Sequence, residues 1–156
     1  MSIPTTGPKG VRFRSRLETR WACFFTLLGW SWVYEPDLGL EKWIPDFAIV
    51  GPNGPMLVEV KPALSLSQMH EEYTPRTEGS GASLSVLIVG AAFAYPAETG
   101  NTYVGLMGRC RRGDAWSWWP ATLADAGKII GVETPSFEKA QRLWVHASNA
   151  LQWRKR

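Results

Sequence analysis

Cysteine and histidine are scarce in this chain: its 156 residues include two of each. Two cysteines, Cys23 and Cys110, cannot make the disulfide framework of a small secreted domain, so reduced thiols are expected. Neither histidine has a partner at zinc-ligand spacing, and His70 and His146 read as surface or packing residues. No run of about 18 apolar residues occurs, so no membrane-spanning helix is expected, and Met1-Ser2-Ile3-Pro4 does not begin a signal peptide. A glycine-rich phosphate loop is also missing, which removes the usual mark of ATP dependence. The expectation is a soluble, cytoplasmic protein.

Charge of one sign is not in large excess either. Seventeen Lys and Arg against 14 Asp and Glu give a net +3, so distribution matters more than total. Lys9, Arg12, Arg14, Arg16 and Arg20 crowd around the single acid Glu18; Arg109, Arg111 and Arg112 form a second cluster, and Arg154, Lys155 and Arg156 a third. Such clusters suit a polyanion whose phosphates are held near an acidic site, and Arg12, Arg14, Arg16 and Arg20 are the candidate nucleic-acid contacts. The alternative is solubilising charge with a frayed basic tail. With 45% hydrophobic residues, the chain can bury one genuine core and has no room for two. Residues 1–10, rich in Pro, Thr and Gly, are expected to be a flexible segment ahead of a single domain over residues 11–156.

What is present is concentrated in residues 43–62. Pro45-Asp46-Phe47 is followed, thirteen residues after Asp46, by Glu59-Val60-Lys61, and both halves sit in apolar, strand-like sequence. Between them Gly51-Pro52-Asn53-Gly54-Pro55 is a dense turn signal. Side chains alternate faces along a strand, and directly opposed residues share a face. A loop of even length, such as residues 52–55, therefore sets Asp46 opposite Glu59 or Lys61 and points all three the same way. An odd loop without a bulge separates them. The even case gathers two carboxylates and an ammonium within about 5 to 8 Å. Carboxylates that close repel unless a cation lies between them, and Mg2+ takes one or two carboxylates, several waters and substrate phosphate oxygens. The competing reading is a surface hairpin carrying an Asp46–Lys61 ion pair.

Upstream, Leu17, Trp21, Phe24, Phe25 and Leu28 recur at i, i+4, i+7, i+8 and i+11, which predicts a helix with one buried face and Gly29 as its C-cap. Glu18 stands about 100° round from Leu17, on the border of that face beside Phe25. A carboxylate there reaches a site while its helix packs on a sheet. The alternative is an i, i+4 ion pair with Arg14.

Pro45-Asp46 with Glu59-Val60-Lys61 resembles the core motif of the PD-(D/E)XK nuclease superfamily. Arg14-Ser15-Arg16-Leu17-Glu18, followed by Trp21, Phe24, Phe25 and Tyr34-Glu35-Pro36, looks like the first-helix glutamate and following strand of small phage-type members, and is similar to the N-terminal nuclease domain of TnsA-type transposition endonucleases. The resemblance covers about residues 11–90. It implies an α/β fold with a restriction-endonuclease-like mixed central sheet flanked by helices, and an endonuclease that hydrolyses DNA by a metal-activated water. The implied catalytic set is Glu18, Asp46, Glu59 and Lys61. Asp46, Glu59 and the Val60 backbone carbonyl would hold Mg2+ or Mn2+, with Glu18 bound directly or through water, and Lys61 would orient the nucleophile or neutralise phosphoryl oxygens. It also implies DNA as partner and a bacterial or phage-infected cell; RNA stays open as a substrate, and the oligomeric state stays open, with a homodimer or a larger recombination, packaging or transposition assembly among the alternatives. The alternative function is a catalytically silent nucleic-acid-binding or partner-binding module on the same scaffold.

The remaining sequence predicts a strand over residues 30–34, a helix over 65–72 ending before Thr74-Pro75, a buried strand over 85–89, strands over 103–107 and 115–119, and a helix over 137–153 opened by Pro135-Ser136. Nine tryptophans are unusually many. Trp116, Trp118 and Trp119, close to the Arg109–Arg112 cluster, are expected to fill the core or a dimer contact rather than to offer stacking surfaces to unpaired bases.

Overall fold

The computed structural model describes residues 5–40, 42–80, 82–110 and 115–153. Arg111 and Arg112 of the second basic cluster, and all of the third, lie outside the described residues.

Residues 5–10 begin a small pair of strands, β1 (Thr5–Thr6) and β2 (Arg12–Phe13), joined through a Gly7 N to Val11 O bond of 2.9 Å. Ser15 then opens helix α1 (Arg16–Leu28) by accepting the Glu18 amide, and Gly29 closes it in the left-handed region at φ 78°. Trp21, Phe24 and Phe25 are at most 1% exposed, so the face predicted by the helical period is the face that packs. Truncating any of them to alanine should cost about 3 to 5 kcal/mol.

Beneath α1 lies one mixed sheet of six strands: β3 (Ser31–Tyr34), β4 (Phe47–Gly51), β5 (Gly54–Val60), β6 (Val86–Val89), β9 (Gly105–Cys110) and β10 (Trp116–Ala121). Two short strands, β7 (Tyr95–Pro96) and β8 (Thr102–Tyr103), pair separately. The spatial order is β10-β9-β6-β5-β4-β3, antiparallel throughout except for β5 and β6. A parallel neighbour requires a crossover, and residues 61–85 supply it.

That crossover is helical for longer than predicted. It runs through α2 (Leu66–Gln68), a π-helical stretch (Met69–Tyr73) and α3 (Thr74–Glu78). Thr74-Pro75 does not end it, because Pro75 falls in the first turn of α3, where a missing N–H costs no helical bond. Past β10, α4 (Leu123–Ile130) appears where no helix was expected, and α5 (Phe137–Trp153) has the predicted bounds. The fold is mixed α/β, with helices on both faces of the sheet.

Alternation along the strands divides the interior. Phe47, Ile49, Met56, Val58, Leu87, Val89 and Met107 pack with α1, α4 and α5; Ala48, Leu57, Val86, Ile88 and Leu106 pack with Trp43, Met69 and Tyr95. Trp21, Trp30, Trp32, Trp43 and Trp144 are each at most 5% exposed. Of the three tryptophans expected to fill the core or a dimer contact, Trp116 and Trp118 pack against the border of the group around Trp43, Met69 and Tyr95, and Trp119 does not. They sit on the edge strand β10, with Trp116 and Trp118 stacked and half-buried and Trp119 exposed. Among the described residues no helix is long and apolar enough to cross a membrane.

Candidate functional site

The hairpin register decides which side chains meet. Phe47 opposes Val58 and Gly51 opposes Gly54, leaving a two-residue loop, Pro52 and Asn53. The loop is two residues shorter than predicted but still even. Continuing the register by one residue sets Asp46 across from Glu59, and Lys61 follows on the same face.

Around them is a cavity of about 350 Å³ lined by Arg14, Ser15, Leu17, Glu18, Ile44, Asp46, Glu59, Val60, Lys61, Pro62 and Arg76. It lies at the end of β5, between the N-terminus of α1 and α3, so the sequence-predicted Glu18, Asp46, Glu59 and Lys61 all reach one space. Its volume is at the small end for ligand sites, which run about 300 to 1,000 Å³. Of the four arginines proposed to contact nucleic acid, only Arg14 lines it. Arg20 is turned away, with its guanidinium 3.8 Å from the Trp144 ring centroid and donating to Trp144 O. Arg12 and Arg16 are exposed outside this cavity.

Each acid is held by a different neighbour. Asp46 Oδ2 accepts the Val60 amide at 2.7 Å. Glu59, 4% exposed, accepts a short bond from the Trp43 indole N–H at Oε2, and Lys61 Nζ lies 3.9 Å from the same oxygen. Glu18, 7% exposed, accepts Ser15 Oγ at 2.7 Å and the Tyr34 hydroxyl at 2.8 Å. Burial, reinforced by the bond to Glu18, pushes the Tyr34 phenol up, so Tyr34 stays protonated and donates. The alternative, an Arg14–Glu18 ion pair, is not seen. Arg14 precedes the N-cap and pairs with Glu35 at 2.7 Å.

Arg14, Lys61 and Arg76 line the cavity with the three acids, but the charges that act on Asp46 are those of Glu59 and Glu18. Burial first, then hydrogen bonding and charge from Glu59, and finally Glu18, raise Asp46 far above the carboxylate range, while the Val60 amide opposes them. Asp46 therefore takes up a proton unless a cation replaces it. Two oxygen acids in contact suit a hard divalent ion by donor type. Among the described residues, however, no group of three or more His, Cys, Asp or Glu is arranged to hold a metal. Glu18 accepts from Ser15 and Tyr34, so a metal held at Asp46 and Glu59 would have two carboxylate ligands from this chain.

Tyr34, Trp43, Ser15 and Arg76 were not foreseen as site residues. Ser15-x-x-Glu18 was readable as a capping-box pattern. Tyr34, Trp43 and Arg76 carry no local signal, since each reaches the site through tertiary contact. Nothing among family models, curated proteins or solved structures matches this chain.

Proposed function

We propose that the protein is a divalent-metal-dependent nuclease that hydrolyses DNA phosphodiester bonds, of the PD-(D/E)XK type that its motif resembles. The observation that carries this reading is the convergence of Asp46 and Glu59 with Lys61 in one solvent-reaching cavity, at a proton affinity that a cation would relieve.

In this reading Asp46 and Glu59 would hold Mg2+ or Mn2+, the Val60 amide fixes Asp46, and the Val60 carbonyl would join the ligand set as the resemblance implies. When bound, the ion polarises the phosphoryl group and lowers the pKa of water to give a nucleophile. The Trp43 indole orients Glu59. Lys61, partly buried and with its ammonium facing the cavity, donates to phosphoryl oxygens and offsets the charge they gain in the transition state. Glu18, fixed by Ser15 and Tyr34, lines the same cavity and would act on the metal through water.

A silent binding module on the same scaffold is the second reading, and the two-carboxylate donor set favours it. Calorimetric titration with Mn2+ separates them. The nuclease reading expects one site in the wild type that is lost in Asp46→Ala and Glu59→Gln; absence of Mn2+ binding in the wild type contradicts it.

A further inference from the structure

The cavity does not end at the carboxylates. Arg14, Ile44, Asp46 and Arg76 line it and also line a second cavity of about 270 Å³, to which Glu35, Lys42 and Trp43 contribute. The two form one groove with Asp46 at its waist. Its charges are not evenly answered. Arg14 and Glu35 neutralise each other across 2.7 Å, and Lys61 faces Glu59. Lys42 and Arg76 are exposed, and among the described residues their side chains make no hydrogen bond or ion pair. One comes from the loop before β4 and the other from α3, so two unanswered cations from separate elements line one chamber.

We propose that this second chamber is an anion subsite in which Lys42 and Arg76 hold the phosphodiester next to the one that reacts, so that the ligand is a nucleic-acid strand continuing past the reacting bond toward residues 35–46. The inference rests on the nuclease reading for the identity of the reacting phosphate. Arginine's planar fork matches two phosphate oxygens at once, and lysine adds a point charge. Arg76 lines both chambers and spans two successive phosphates, whereas Lys42 serves only the outer one. A free phosphate or a mononucleotide fills one chamber and gains nothing from the other. A continuous strand gains both.

Fluorescence anisotropy with a labelled DNA duplex in EDTA, at several salt concentrations, tests this without turnover. The wild type is compared with a double variant, Lys42→Ala with Arg76→Ala, whose exposed positions leave the core intact, as circular dichroism will verify. The double variant should bind at least about tenfold more weakly at low salt, with a log–log salt slope shallower by about 1.8, because each phosphate contact contributes about 0.9. Unlabelled DNA should displace the probe from the wild type far better than inorganic phosphate or a mononucleotide at equal phosphate concentration. Equal affinity and slope in the two proteins, equal competition by inorganic phosphate, or no binding by the wild type overturns the subsite. A parallel cleavage assay with Mn2+ keeps the two claims apart. Binding through Lys42 and Arg76 without any cleavage refutes hydrolysis and retains the subsite; cleavage with unaltered binding in the double variant refutes the subsite and retains hydrolysis.

Discussion

The Val60 amide donates to Asp46 Oδ2 at 2.7 Å, so the carboxylate that leads into β4 is anchored by the last residue of β5. The anchor holds Asp46 beside Glu59 and prevents it from swinging away from that negative charge. The high proton affinity of Asp46 comes first from burial and then from the closeness to Glu59 that the hairpin imposes, while the Val60 amide opposes both.

Asp46 should therefore cost stability at neutral pH when no cation is bound. Its carboxyl is raised from 3.8 to about 9 in the folded chain, first by burial and then by Glu59. A folded-state value above the unfolded one means that the folded chain binds the proton more tightly. The stabilising contribution is complete below 3.8 and drains away as pH climbs toward about 9. Asp46→Asn keeps an acceptor for the Val60 amide and removes the charge. In EDTA it should melt several degrees above the wild type at mildly alkaline pH, with the gap closing in acid. A gap that does not change with pH contradicts this account.

Trp43 is expected to act on the site through Glu59. Trp43→Phe keeps an aromatic ring at this buried position and deletes the N–H that Glu59 accepts. Removing an outer partner of a metal-binding carboxylate lowers affinity or activity about 10- to 100-fold, and a lost hydrogen bond to a charged group costs about 2 kcal/mol. Mn2+ titration beside a melting curve measures both. Lower stability with unchanged Mn2+ affinity assigns Trp43 to packing alone.

Lys61 should be required for turnover and not for metal occupancy, because an ammonium cannot be a ligand. Lys61→Ala should bind Mn2+ at least as tightly as the wild type, having lost a cation near Glu59, and should fail to cut DNA. Loss of Mn2+ binding together with the fold would favour a structural hairpin.

The hairpin was legible because β-sheet parity is a short-range rule. Asp46, Glu59 and Lys61 share a face for any even loop, so the error of two residues in loop length changed nothing. Helix α1 was legible for the same kind of reason, with its period and Gly29 both written locally. The contacts that tune the acids were not. Tyr34 meets Glu18 across 16 residues and Trp43 meets Glu59 across another 16, through packing that no local pattern announces. Arg76 was hidden by Thr74-Pro75, which suggests a helix end but here starts a fresh helical turn after the π-helical stretch. Helix α4 did carry signals that went unread: Thr122 and Asp125 form a capping box, and Gly131 closes the helix at φ 81°.

Glu18 is expected to contribute chemically as well as structurally. Glu18→Gln retains its shape, and under the nuclease reading it should lower the rate at saturating DNA by at least about tenfold, or about 1.4 kcal/mol. Tyr34→Phe removes one of the two donors that fix Glu18 and should fall between that variant and the wild type. Reduced melting temperatures with wild-type rates in both would restrict Glu18 to anchoring Ser15 and Tyr34.

Metal-dependent hydrolysis at Asp46 is tested most directly by a cleavage panel. Labelled linear, nicked, flapped and four-way DNA is incubated with the wild type and with Asp46→Ala, in Mg2+ or Mn2+ and in EDTA. The prediction is cleavage of at least one substrate by the wild type with metal, none in EDTA, and none by Asp46→Ala although it remains folded. Cleavage by Asp46→Ala at the wild-type rate, or a folded, Mn2+-binding wild type that cuts nothing in the panel, contradicts it.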